Sequence, residues 1–150
     1  FDCGEVTLDS WLMRHAAVAA RMRTAATYVW VEQGRVRAYY AVAPHAVARA
    51  ELPTRVASNA PSSVPAYLIG KLAVCREWQG AGRGSALLLD ALARLATAIE
   101  KVPARLVVVD AIDEAAQRFY EAHGFRQLPG RPLTLFLSSA DLLATISAVG

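Results

Sequence analysis

A chain of 150 residues with a formal net charge of +3 suits one domain, 1–150, built around one core. Its 55% apolar content is above the usual range, yet no uninterrupted apolar run approaches the ~18 residues that span a bilayer, which argues against a membrane protein. Cys3 and Cys75 lack Cys or His neighbours at metal spacing, which excludes a zinc site and a disulfide framework, so no metal is expected and both thiols are expected to be reduced.

In chain order, Thr7 is positioned to cap a first helix through Leu8, Trp11, Leu12, His15 and Val18, an apolar stripe at spacings of three and four that ends near Arg21. Thr27 to Glu32 reads as a strand, Gln33-Gly34 as a tight turn and Arg35 to Ala43 as the returning strand, which Pro44 interrupts or ends. Residues 51–65, with Pro53, Pro61 and Pro65, have the composition of a long connecting or binding loop. Tyr67 to Val74 is a buried strand, and Ala86 to Ile99 has helical leucine and alanine spacing. Pro103 breaks that pattern, and the β-branched run from Arg105 to Asp110 is a further buried strand. Asp113 caps a helix through Ala116, Phe119, Tyr120 and His123, which Gly124 ends as its C′ residue. Leu133 to Leu137 is a last strand, and Ser139 caps a terminal helix. The order predicts an α/β fold in which helices surround a central, mostly antiparallel sheet with one parallel pair flanking the long helix.

Charge is more informative in its placement than in its total. Between Trp11 and Ala50 stand Arg14, Arg21, Arg23, Arg35, Arg37 and Arg49 against the single acid Glu32, so this segment alone carries +5. Among the basic residues only Lys71 and Lys101 are lysines. Guanidinium forks match phosphate oxygens two at a time, so a one-sided arginine field suits a nucleic acid or the 3′-phosphate of coenzyme A, and equally a plain solvated face.

The chemistry-bearing motif is Gln79-Gly80-Ala81-Gly82-Arg83-Gly84-Ser85, set between a strand and a helix. At a helix N-terminus several N–H groups lack intrahelical acceptors and the macrodipole adds partial positive charge, so such a loop cradles phosphate. Gly84 is followed by Ser85 and Ala86 rather than by the Lys-Ser/Thr of a nucleotide triphosphate loop, and the alternate glycines do not match the dinucleotide Gly-x-Gly-x-x-Gly pattern. The segment Gln79-Gly80-x-Gly82-x-Gly84 resembles instead the pyrophosphate loop of the GNAT acetyltransferases, which bind acetyl-coenzyme A. Asp113 to Phe125, with Phe119, Tyr120 and Gly124-Phe125, resembles the second motif of that family in order and separation.

The resemblance implies a GNAT fold, acetyl-CoA as donor, and roles for particular residues. Gln79, Gly80, Ala81, Gly82, Arg83, Gly84 and Ser85 would contact the pyrophosphate. Leu72, Ala73 and Val74 would line the donor, with an N–H near Val74 holding the thioester carbonyl as it becomes an oxyanion. Tyr120 would be the catalytic residue, protonating the leaving thiolate, which suits a phenol with an ordinary pKa of ~10. Asp113 stands where many relatives have an Asn that touches the pantetheine arm or adjacent backbone. Glu77, Asp110, His45 and His123 are all possible general bases, and no spacing singles one out. An α-amine, with a pKa of ~7.7 to 8.0, needs less help than a lysine, which favours an α-amine acceptor.

The N-terminal stretch, Phe1-Asp2-Cys3-Gly4 with Leu8-Asp9-x-Trp11-Leu12, the arginine-rich helix and Thr27-Tyr28-Val29-Trp30, resembles the GNAT toxins of toxin-antitoxin modules, as does Gly70-Lys71-Leu72-Ala73-Val74. That likeness implies acetylation of the α-amino group of aminoacyl-tRNA, with Arg14, Arg21, Arg23, Arg37, Arg49 and Lys71 as phosphate contacts to tRNA. It also implies a ribbon-helix-helix antitoxin, operator DNA bound only through the antitoxin complex, a homodimer and, with no secretory leader pattern at the start, a cytoplasmic location. Two alternatives stay open: an acetyltransferase of protein N-termini or small amines, and an acetyl-CoA-binding corepressor acting with its antitoxin.

Overall fold

The computed structural model describes residues 1–149. Six strands, β1 (Ala26–Glu32), β2 (Arg35–Ala48), β3 (Ser63–Val74), β4 (Leu106–Asp110), β5 (Arg126–Leu128) and β6 (Arg131–Ser138), form one sheet in the order β1-β2-β3-β4-β6-β5. The helices are α1 (Val6–Arg14), α2 (Ala16–Met22), α3 (Thr54–Ala57), α4 (Arg83–Lys101), α5 (Glu114–Ala122) and α6 (Ser139–Val149). The pairs β1-β2, β4-β6 and β5-β6 are antiparallel, so the α/β class with a mostly antiparallel sheet is the one observed. The chain divides into two compact units, Phe1–Ala43 with Ile69–Leu92, and Pro44–Leu68 with the chain from Ala93 onward.

In the first unit, Gln33 and Gly34 both adopt positive φ, 53° and 74°, which matches the twist of a two-residue hairpin joining β1 to β2. The core is built around Tyr39, fully buried on β2. Its hydroxyl donates to the Leu8 carbonyl at 2.6 Å, Trp11 stacks on its ring and Phe1 meets it edge-on at 5.6 Å between centroids. One phenol thus ties the N-terminal residues and α1 to the sheet. The first helix does not start on a Thr7 cap. It starts after Glu5, without a side-chain cap, and Thr7 lies inside α1. Asp9 instead reaches back to accept from the Cys3 N–H at 2.9 Å, so the turn is held by a residue inside the helix. The helix also divides at His15, and α2 closes on Arg23 in the left-handed region at φ 58°.

Pro44 does not end β2, which runs on to Ala48. The β1 partnership ends at the pair Ala26 and Val42, so the N–H that proline lacks falls beyond the last bond of that ladder.

In the second unit, the long loop expected over residues 51–65 is largely ordered. It contains α3, and β3 begins at Ser63, so that Pro65 lies within a strand. The reason is burial: Leu52, Ala60, Val64 and Ala66 pack with Val47, Leu106, Val108, Leu128 and Phe136, which gives the segment apolar anchors between its prolines. Arg49 Nη1 fastens it further by donating to the Ala60 carbonyl at 2.8 Å. Asp113 caps α5 as its type predicts, accepting from Ala116 N at 2.8 Å, and Gly124, at φ 90°, follows its end. At α6 the capping residue is Ser138, whose Oγ accepts from Asp141 N at 3.1 Å. Ser139 is already helical, and its Oγ donates to the Ala104 carbonyl. β5 has no counterpart in the sequence reading, because it spans three residues of which only Leu128 is buried.

Candidate active site

The glycine-rich loop belongs to the first unit. After β3 a short 3-10 turn, Arg76–Trp78, leads to residues 79–82, and α4 starts at Arg83. Gly80 and Gly82 have φ values of 83° and 78°, a region costly for any residue with a Cβ. A Cβ at either position would meet nothing within 4 Å. The glycines therefore supply conformation, not room. Left-handed residues at every second position turn neighbouring N–H groups toward one side, the arrangement of an anion nest. Ala86 N donates to Gly82 O at 3.2 Å as an early bond of α4, so by helix geometry the N–H groups of Arg83, Gly84 and Ser85 lie ahead of the intrahelical ladder. Loop and helix end together present donors to an anion.

Two side chains of the motif brace the loop. Gln79 Nε2 donates to Cys3 O at 2.7 Å and to Val74 O at 2.8 Å, so its amide NH2 joins the N-terminal segment to the end of β3. The Arg83 guanidinium lies 4.6 Å from the centre of the Trp78 ring. The Asp2-Cys3-Gly4 segment belongs to this brace. Asp2 Oδ1 accepts from Arg76 Nε at 2.9 Å and from Gly4 N at 3.0 Å, and Arg76 N donates to Asp2 O. The Arg76 hydrogen bond, with that of Gly4 N–H, holds the Asp2 carboxyl below the usual carboxylate range. A segment singled out by the resemblance to the toxins thus supports the glycine-rich loop. Its partner Arg76 stands 74 residues away, a separation at which no local pattern signals contact.

Tyr120 and Asp113 lie in the second unit. The Tyr120 ring is 6% exposed, edge-on to Phe119 at 5.3 Å and Phe125 at 5.7 Å. Burial raises its phenol pKa well above the ordinary value, and the negative charge of Asp110 adds to the effect. Such a phenol holds its proton throughout the physiological range. The Asp113 carboxylate is engaged as the α5 cap, which assigns one of its oxygens to the helix.

The six basic residues singled out for phosphate contact fall into two sets. Arg14, Arg21 and Arg23 are exposed at and after the ends of α1 and α2, and Lys71 is half-buried with its ammonium 5.8 Å from the Trp11 ring centre. Arg37 has a side chain only 12% exposed, pairs with Glu77 at 3.1 Å and leaves a buried Nε without a partner. Arg49 is tied to Ala60, as described above. The second set is thus engaged within the protein. Among the described residues no group of three His, Cys, Asp or Glu is placed to hold a metal ion, and no helix is long and apolar enough to cross a membrane.

Comparison with known proteins agrees with this geometry. The profile of the acetyltransferase (GNAT) domain matches residues 23–127. The chain is 38% identical to a tRNA-acetylating toxin of Mycobacterium tuberculosis (strain ATCC 25618 / H37Rv), over 97% of this chain and 88% of the toxin. Among solved structures it resembles AtaT complexed with acetyl-methionyl-tRNAfMet, with a TM-score of 0.88 and 29% identity over 96% of this chain and 88% of that one. It also resembles a tyrosine-to-phenylalanine mutant of AtaT bound to the C-terminus of the antitoxin AtaR and to acetyl-CoA, with a TM-score of 0.84 and 26% identity over 98% and 88% of the two chains. With a glycine-braced anion loop before α4 and a domain match over most of its length, the chain belongs to the GNAT acetyltransferase family.

Proposed function

We propose that this acetyltransferase moves the acetyl group of acetyl-CoA onto the α-amino group of an aminoacyl-tRNA, which blocks the charged tRNA from peptide-bond formation. The observation that carries this reading is the 38% identity to the tRNA-acetylating toxin, which extends over 97% of the chain and so beyond residues 23–127 of the domain match. In this reading the N–H groups from Gly80 to Ser85 hold the pyrophosphate, and Leu72, Ala73 and Val74 lie along the donor. The neutral amine attacks the thioester carbonyl, a C–N bond forms and the oxygen gains negative charge, which the Val74 N–H stabilises. The C–S bond then breaks, Tyr120 gives its proton to the departing sulfur, and the amine proton passes to solvent. An α-amine is partly neutral at pH 7, so this chemistry proceeds without a dedicated base. The proposal includes a cytoplasmic protein that forms a homodimer and is restrained by a ribbon-helix-helix antitoxin, through which it reaches operator DNA. Support for the antitoxin comes from the AtaT neighbour bound to AtaR.

The testing experiment is incubation of the protein with radiolabelled acetyl-CoA and total charged tRNA. Label should appear in the aminoacyl ester and be released by mild alkali as an N-acetyl amino acid. Label confined to protein N-termini or small amines would overturn the reading.

The exposed arginines carry a second expected result. Combined Arg21→Ala and Arg23→Ala should weaken tRNA binding severalfold and flatten its salt dependence by roughly one unit of slope or more in a log-log plot. Equilibrium binding at several salt concentrations measures this, and an unaltered slope would remove both residues from the phosphate contacts.

A further inference from the structure

A cavity of about 450 Å³ in the second unit has no part in the chemistry above. It is lined by Arg55, Arg105 and Arg126, with Ser138, Ser139 and Val56 completing most of its wall. The three guanidiniums come from separate elements: α3, the residue before β4, and β5. Arg105 Nη2 makes long contacts to the carbonyls of Val56 and Ser58, at 3.3 and 3.4 Å, and the Arg126 guanidinium lies 5.0 Å from the centre of the Phe136 ring. None of the three pairs with a carboxylate among the described residues. An ion pair of this unit joins Arg131 to Glu51 and leaves these three arginines out. The guanidiniums are therefore charged donors without a carboxylate partner, beside the Ser138 hydroxyl as a neutral one.

We propose that this cavity binds a phosphate ester, held by Arg55, Arg105 and Arg126. Three positive groups around one hollow repel one another, and an anion that accepts from all three relieves that repulsion. A tetrahedral phosphate presents oxygens in three directions, whereas one planar carboxylate is saturated by one or two guanidinium forks. The hollow is open to solvent, with all three arginines exposed, and its volume exceeds what one phosphate fills, which leaves room for a group attached to the phosphate. That group is either a free nucleotide or one unit of an RNA chain. Arg105 and Asp110, the acid whose charge acts on Tyr120, stand at opposite ends of β4, five residue steps or about 16 Å apart along the strand.

The test uses the full chain with one equivalent of coenzyme A, so that the glycine-rich loop is occupied and no free coenzyme A competes for the cavity. Wild type and the double variant Arg55→Gln/Arg126→Gln are titrated with adenosine 5′-monophosphate by calorimetry and with a fluorescein-labelled single-stranded RNA hexamer by anisotropy. Arg105 is left in place because it supports α3, and matched melting curves establish that the variant is folded. The expected result is saturable binding to the wild type that falls at least tenfold in the variant, with coenzyme A affinity unchanged. Loss for both probes identifies a site that takes a free nucleotide, and loss for RNA alone identifies one that needs the polymer. Equal binding by the two proteins, no binding of either probe to the wild type, or tighter binding of a hexaglutamate peptide than of both phosphate probes would overturn the proposal.

Discussion

Replacing Tyr120 by Phe is expected to lower acetylation of charged tRNA by two orders of magnitude or more, while acetyl-CoA affinity stays within about twofold. The substitution removes one oxygen and keeps the ring that packs against Phe119 and Phe125, so the local core is preserved. What is lost is the proton for the leaving thiolate. Single-turnover rates with excess enzyme isolate this step, and calorimetry with acetyl-CoA isolates binding. Unchanged turnover would sink the assigned role. The raised phenol pKa adds a pH signature. As pH rises from 6 the rate climbs while the aminoacyl amine deprotonates, and because Tyr120 holds its proton above the ordinary tyrosine value of ~10, no decline follows up to about pH 9.5. A fall beginning near pH 8 in initial rates corrected for hydrolysis of the aminoacyl ester would place the proton donor elsewhere.

Gly82→Ala is expected to weaken acetyl-CoA binding about tenfold, the equivalent of about 1.4 kcal/mol, with little change in the rate at saturating donor. The effect comes from backbone conformation alone, since the added methyl group meets nothing within 4 Å. At φ 78° an alanine is strained and tends to relax to negative φ, which turns the following N–H away from the anion. Gly82→Asn supplies the control. Asparagine visits the left-handed region more readily than alanine, so it should recover part of the affinity although its side chain is larger. If the asparagine variant binds more weakly than the alanine variant, side-chain volume governs the loop and the conformational account fails.

The conformation of the glycine-rich loop is legible in the sequence because its information is local. A strand, three alternate glycines and a helix lie within one short segment, and backbone conformation at Gly80 and Gly82 follows from residue type. The cap at Asp113 and the stop at Gly124 were readable for the same reason, since each acts over three or four residues. The errors share a different cause. Thr7 has the right chemistry for a cap, but Asp9 holds the turn by reaching back to Cys3. Pro44 would break a ladder, but β1 has already ended beside it.

By itself, then, the sequence determined most of the longer elements, the glycine-rich turn before α4 and the helix that carries Tyr120, because short-range periodicity and residue conformation dictate these. Tertiary structure alone decided which distant residues come together. It placed Asp2 and Cys3 beside Arg76 and Gln79, engaged Arg37 and Arg49 internally, and gathered Arg55, Arg105 and Arg126 around one cavity. The physical reason is that a side chain's partner is set by the packing of distant segments, and a charge reads the same in sequence whether it faces water, a carboxylate or a backbone carbonyl.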